Sequence, residues 1–140
     1  MKVLVSACLL GVDCKYNGGN NKNPAVLEFL RDKTVIPVCP EVMGGLPVPR
    51  TPVELQHGIA INRNGENVHR QFCDGVQQAV ELAKRERIDL AILQPRSPTC
   101  GVRQIYDGTF SKQLVDGQGL LAAALMREGF SVVDAEELEE

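Results

Sequence analysis

Apolar residues fall along the chain in short unbroken runs, separated by longer amphipathic stretches. Residues 2–7, Lys-Val-Leu-Val-Ser-Ala, form the first run and predict a buried strand. A polar loop follows over Asn17 to Asn23, with Gly18-Gly19 inside it. Pro24 stands where a helix begins, and Val26, Leu27, Phe29 and Leu30 give Ala25 to Arg31 an apolar stripe. Thr34 to Val38 is a second strand. Val53 to Asn62 reads as extended, and Asn64-Gly65 predicts a hairpin turn between Ile59-Ala60-Ile61 and Asn67-Val68. Phe72, Val76, Ala79, Val80, Leu82 and Ala83 predict a helix of about four turns, closing in Lys84-Arg85-Glu86-Arg87. Asp89 to Leu93 is a third strand. Gly117 to Arg127, rich in Leu and Ala, predicts a second long helix stopped by Gly129. Phe130 to Val133 is a fourth strand, and the acidic Ala135 to Glu140 segment closes as a helical turn or a frayed end.

Strands that are continuous apolar runs, alternating with amphipathic helices, are the pattern of a parallel sheet covered on both faces. The expected fold is a doubly wound, Rossmann-like α/β domain with a mainly parallel sheet of about four strands and a small β-hairpin excursion. The 140 residues fit one domain spanning 1–140. A chain of this size buries about two-thirds of its unfolded surface without needing covalent staples.

Composition narrows the function. With 15 basic against 18 acidic residues, the net charge of −3 gives no general basic field, so a nucleic-acid polymer is not an expected partner. Aromatic content of 4% with no Trp argues against a base-stacking platform. No apolar run reaches the length of about 18 residues that a membrane span needs. The apolar start, Met1-Lys2-Val3-Leu4-Val5, is too short for a signal-peptide core, so a cytoplasmic location is expected. The cysteine count is five, an odd number in a chain without a secretory signal, which favours metal or catalytic thiols over a disulfide framework.

The thiols have a telling distribution on this map. Cys8 lies just past the first strand, Cys39 ends the second, and Cys100 sits in Gln94-Pro95-Arg96-Ser97-Pro98-Thr99-Cys100-Gly101 after the third. Parallel strands point the same way, so all three fall on the carboxyl edge, where open α/β sheets bind ligands. One strand-end Cys is more often a small buried hydrophobe. Three at carboxyl ends, two of them in Pro/Gly-rich loops, point instead to a shared site. In Val35 to Pro52, Pro40 is expected to end the strand and turn the chain outward. Gly44-Gly45, Pro47, Pro49 and Pro52 then stiffen the loop that carries Glu41 and Arg50.

Cys73, beside Phe72 in a helical pattern, reads as core, while Cys14 is open between a fourth ligand and a spare thiol. There is no C-x-x-C pair. Three thiolates with an open position suit an iron–sulfur cluster, Zn or Cu(I), and spacing does not choose among them. His57 and His69 read as surface or hairpin residues. Tyr106-Asp107-Gly108-Thr109-Phe110 reads as a turn or as a lid over the site. Asp116-Gly117-Gln118-Gly119 enters a helix whose free N–H groups could hold an anion, but it does not make the dinucleotide-binding glycine fingerprint.

Four motifs in order resemble one known family. They are Ser6-Ala7-Cys8-Leu9-Leu10-Gly11, Cys39-Pro40-Glu41 with Gly44-Gly45-Leu46-Pro47-Val48-Pro49-Arg50, Ser97-Pro98-Thr99-Cys100-Gly101, and Ile105-Tyr106-Asp107-Gly108-Thr109-Phe110. Together they resemble the domain-of-unknown-function 523 family, which includes the thiouracil desulfidases. The resemblance implies a [4Fe-4S] cluster on Cys8, Cys39 and Cys100, with one iron open to the sulfur of a thiocarbonyl substrate. It also implies catalytic roles for Glu41 and Ser97. The implied reaction is hydrolysis of C=S in a thiouracil-like nucleobase or related thio-heterocycle, a small-molecule substrate. A carboxylate takes the proton of the attacking water and a hydroxyl orients that water or the ring. The competing readings are a Zn-thiolate hydrolase and a non-enzymatic iron–sulfur or sulfide-binding module. Nothing in the sequence assigns an oligomeric state.

Overall fold

The computed structural model describes residues 1–138. Its elements in chain order are β1 (Lys2–Ser6), a 3₁₀ turn (Ala7–Leu10), α1 (Pro24–Leu30), β2 (Thr34–Val38) and α2 (Pro40–Met43). They continue with β3 (Val53–Gln56), β4 (Ile59–Asn62), α3 (His69–Glu86), β5 (Leu90–Leu93), β6 (Gln104–Tyr106), β7 (Leu114–Asp116), α4 (Leu120–Arg127), β8 (Val132–Asp134) and a 3₁₀ turn over Ala135–Leu138. Glu139 and Glu140, the end of the predicted acidic segment, lie outside the described residues.

Four strands form a parallel sheet in the order β2-β1-β5-β8, as the block pattern predicts. Side chains of a strand alternate between faces, and β1 divides its residues accordingly. Val3 and Val5 join Val26 and Leu30 of α1, while Leu4 joins Ala79, Ala83, Leu121 and Leu125 of α3 and α4. The sheet is therefore covered on both sides, which is why its strands are unbroken apolar runs rather than alternating ones. The chain leaves β1 toward β2 on one side and returns to β5 on the other. That reversal opens a crevice beyond the carboxyl ends of β1 and β5.

Local chemistry sets the boundaries. Asn23 caps α1, its side chain accepting from Val26 N at 3.2 Å, and Pro24 occupies the first helical position. Arg87 and Gly129 adopt left-handed conformations where α3 and α4 end. Helix α3 buries Phe72, Val76, Ala79 and Ala83. Cys73 lies one step round from that stripe and is exposed, its Sγ 3.2 Å from His69 Nε2, which corrects the core reading.

Four further features differ from the sequence expectations. Pro40 does not turn the chain outward; it opens the single helical turn α2 directly after Cys39. The tight turn of the first hairpin is His57-Gly58, both at positive φ, between β3 and β4. Asn64-Gly65 makes a second turn beyond it, closed by one bridge between Ile61 and Asn67. A second hairpin pairs β6 with β7; its three-residue strands carry no periodic signal. Finally, α4 starts at Leu120, because Gly117-Gln118-Gly119 run extended into the sheet-edge loops.

The packing that places the site depends on two glycines. Helix α2 crosses α3 so closely that a Cβ on Gly75 would overlap Pro40 O and one on Gly44 would overlap Gln71 O. Neither neighbour is a side chain that can swing away. Gly75→Ala is therefore expected to destabilise the fold by at least about 1–3 kcal/mol, the usual range for overpacking. Urea unfolding of the variant checks it, and a midpoint equal to the wild type refutes the close crossing.

Candidate functional site

Cys8, Cys39 and Cys100 meet at the switch point, as their places after β1, β2 and β5 require. Cys8 sits in the 3₁₀ turn that bends the chain across the end of β1. Its Sγ accepts from Asn21 Nδ2 at 3.6 Å. Cys39 is the residue from which α2 springs. Cys100 is 4% exposed, under the Ser97–Gly101 loop.

Cys14 joins them. Its thiol is hydrogen-bonded to both Cys8 and Cys39, and Cys39 Sγ also lies 3.8 Å from Cys14 O. The hydrogen bond from Cys14 outweighs burial and holds the Cys8 thiol below its ordinary range. At Cys14 the hydrogen bond with Cys39 pulls downward, yet the bond with Cys8 and burial together push the thiol up to about 11. Its hydrogen bond to Cys14, with burial and the Glu41 carboxylate, raises the Cys39 thiol strongly. Burial, then the negative charge of Glu41, pushes Cys100 up to about 12. Cys39 and Cys100, held neutral this way, lose their protons only when a bound cation compensates the thiolate charge. Among the described residues, no three or more His, Cys, Asp or Glu side chains gather tightly enough to hold a single metal ion.

Glu41, 9% exposed, faces these thiols from α2. Its Oε1 accepts from Thr99 Oγ1 at 3.0 Å, and its Oε2 stands 3.8 Å from Cys39 Sγ. Thr99 is fully buried and carried no signal in the sequence beyond its place between Pro98 and Cys100. Ser97 Oγ accepts from the backbone N–H of Thr99 and of Cys100, both at 3.1 Å, which fills its lone pairs. Its own proton then goes to Thr99 Oγ1, 3.1 Å away. Thr99 has one proton, and the carboxylate at 3.0 Å takes it in preference to Cys100 Sγ at 3.6 Å. The hydroxyls form a directed chain, Ser97 to Thr99 to Glu41.

The loop bearing Ser97, Thr99 and Cys100 is fastened by α4. Leu120 N donates to Pro98 O, Leu121 N and Ala122 N both donate to Thr99 O, and Gly119 N donates to Gly101 O. A Cβ on Gly119 would overlap the Thr99 carbonyl. These amides are spent on the loop, which corrects the expectation that this helix entrance holds an anion. On the other side, Arg50 Nη2 donates to Cys14 O at 2.9 Å and Nη1 to Pro47 O at 3.2 Å. The Pro-rich segment thus braces the thiol loop. His57 is exposed on its hairpin, as the sequence reading has it, but His69 is half-buried at the start of α3, where its Nδ1 accepts from Ala60 N at 3.2 Å.

The four thiols and Glu41 open into a cavity of about 480 Å³. Tyr106 and Phe110 of the β6–β7 hairpin line it, so the segment read as a turn or a lid is the cavity's far wall. No helix among the described residues is long and apolar enough to cross a membrane.

Comparison with known proteins agrees with this geometry. A family model described as 2-thiouracil desulfurase matches residues 3–137. The chain is similar to an uncharacterised protein of Bacillus subtilis (strain 168), YbbK, with 33% identity over 146 positions covering 97% of each chain. It also resembles the solved structure of the [4Fe-4S]-dependent thiouracil desulfidase TudS (DUF523Vcz), with a TM-score of 0.89 and 35% identity over 98% of this chain and 92% of that one.

Removing the Thr99 hydroxyl strands a buried carboxylate oxygen. Thr99→Val is expected to lower stability by about 1–3 kcal/mol, and Thr99→Ser by less, because it keeps the donor. Denaturant unfolding of the metal-free protein reads this, and equal stability of the Val variant refutes the chain.

Proposed function

The chain belongs to the 2-thiouracil desulfurase family, and we propose that it is a [4Fe-4S]-dependent desulfidase acting on a thiouracil-like nucleobase or a related thio-heterocycle. The observation that carries this reading is the meeting of Cys8, Cys39 and Cys100 with Glu41 at one switch-point cavity. The donor set fits the group. All the convergent ligand candidates are sulfur, which iron–sulfur clusters take. An amide N–H already points at Cys8 Sγ. In this reading Cys8, Cys39 and Cys100 hold the cluster, which supplies a Lewis-acidic iron for the soft sulfur of the substrate.

The chain's own residues do the rest. Water adds to the thiocarbonyl carbon while Glu41 takes its proton on Oε2, the oxygen not committed to Thr99. Thr99 fixes the other oxygen and so aims the carboxylate. Ser97 acts one step further back, orienting Thr99 through its hydroxyl rather than touching the water. The proton is then available to the departing sulfur, which leaves as sulfide as the carbonyl forms. Atoms balance as C=S plus water giving C=O plus hydrogen sulfide, and no electrons are transferred. Free thiols at all five cysteines suit a reducing, cytoplasmic setting for this chemistry.

The test begins with anaerobic iron and sulfide loading, followed by loss of the thiocarbonyl absorbance of 2-thiouracil. Loaded protein that leaves 2-thiouracil and other thiopyrimidines unchanged refutes the proposal. Cys8→Ser, Cys39→Ser and Cys100→Ser should each fail to retain iron, while Cys73→Ser retains it. Normal iron in any of the first three removes that residue from the ligand set. Glu41→Gln should keep its iron yet lose about 10²–10⁴-fold in single-turnover rate, the usual contribution of a general base. Rates equal to wild type per bound iron take Glu41 out of the mechanism.

A further inference from the structure

Aromatic side chains are scarce in this protein, yet they are concentrated at one place. Four of the six, Tyr16, Phe72, Tyr106 and Phe110, line the cavity. Backbone strain is concentrated there too. Among the described residues, five that are not glycine have positive φ. His57 is explained by its hairpin turn and Arg87 by the end of α3. The other three, Arg96, Phe110 and Lys112, all line the cavity. Phe110, at φ +56°, is the bulkiest and has no turn chemistry that favours this conformation.

Something must hold it, and the first hairpin does. Glu54 Oε1 accepts from Gly108 N at 3.0 Å and from Phe110 N at 3.1 Å. Gln56 Nε2 donates to Gly108 O at 2.9 Å. Gly108 is glycine of necessity, since φ is +93° and a Cβ would come within 2.7 Å of Leu55 O. The carbon at the centre of the Arg63 guanidinium lies 5.7 Å from the centroid of the Phe110 ring. The ring thus carries a cation over it and is latched at its backbone, and both Phe110 and Arg63 line the cavity.

We infer that Phe110 is the face against which the planar ring of the thio-heterocycle stacks, and that Glu54 is the positioning residue that holds it there. This rests on the desulfidase reading above for the identity of the ring. Stacking of a base on an aromatic side chain is sequence-tolerant, because every base presents a π-face. It therefore fixes the plane of the ring in the cavity that the thiols share without fixing which substituents the ring carries.

Calorimetric titration of 2-thiouracil into iron-loaded protein carrying Glu41→Gln, in which turnover is slowed about 10²–10⁴-fold, reads binding apart from turnover. Phe110→Leu should weaken binding about tenfold or more, the scale of losing one base–aromatic stack. Phe110→Tyr should restore it. Glu54→Ala should weaken binding comparably and speed amide exchange at Gly108 and Phe110. Wild-type affinity in Phe110→Leu overturns the proposal, as does failure of the wild type to bind 2-thiouracil at all. Unchanged exchange in Glu54→Ala overturns the latch. Wild-type binding without turnover sinks the desulfidase reading alone and leaves the stacking face to be decided by the affinities.

Discussion

The site depends first on the shared direction of β2, β1 and β5. In an antiparallel sheet, the segments after successive strands leave from opposite edges. Here Ser6 pairs with Val38, and Val5 with Ile92, so the three strands end level with one another. The chain that follows each one, carrying Cys8, Cys39 or Cys100, has no choice but to emerge on the same edge. The reversal of winding at β1 keeps helices from closing over that edge. Ser6, buried at the end of β1, ties the arrangement together by accepting from Gln94 N at 3.0 Å and hydrogen-bonding to Cys100.

Direction gathers the thiols, but it does not hold them. Loops must do that, and each loop here is fixed by backbone contacts as well as by the Arg50 and Ser97 side chains. The α2 turn presses on α3 through Gly44 and Gly75. The Ser97–Gly101 loop is laced to the first amides of α4. The Asn21 region is tied back by Asn21 N donating to Cys8 O at 2.9 Å and Asn23 N donating to Leu9 O at 3.0 Å. Backbone contacts have few rotamers to lose and few alternatives to adopt, which is the property a preorganised site needs. Among the described residues no buried side-chain polar atom lacks a partner, so Glu41 and Thr99 are held inside without an unpaired group.

Much of this was legible in the residues. Unbroken apolar runs separated by amphipathic ones follow directly from a sheet covered on both faces, and β2 and β5 fell where the runs are. Cysteines placed after such runs had to share an edge. What escaped is equally physical. The β6–β7 strands are three residues each, too short for a period of two to register. The His57-Gly58 turn lost to Asn64-Gly65 because histidine is rare at positive φ, while Asn-Gly is the strongest local turn signal. Cys73 was legible in hindsight: the stripe Phe72, Val76, Ala79, Ala83 leaves its neighbour about 100° away on the helix. Thr99 could not be singled out, since its importance comes from Glu41, 58 residues away in sequence.

The same geometry explains why the carboxylate follows a thiol so closely. Cys39 must leave the sheet, and Pro40 starts a helix at once because its fixed φ suits the first helical position. One residue into that turn, Glu41 is carried round to face Thr99 and Cys39 together. Its negative charge bears on the Cys39 and Cys100 thiols and makes their ionisation costly on its own. A carboxylate so placed would be a defect in a purely structural core, where it opposes the groups around it. It becomes coherent in the proposed reading, where the thiols lose their protons as iron binds. A cluster held by these thiols would supply the compensating positive charge, and Glu41 would keep the oxygen not committed to Thr99. In the proposed reading ligand and base are coupled, because a single turn of helix positions both Cys39 and Glu41.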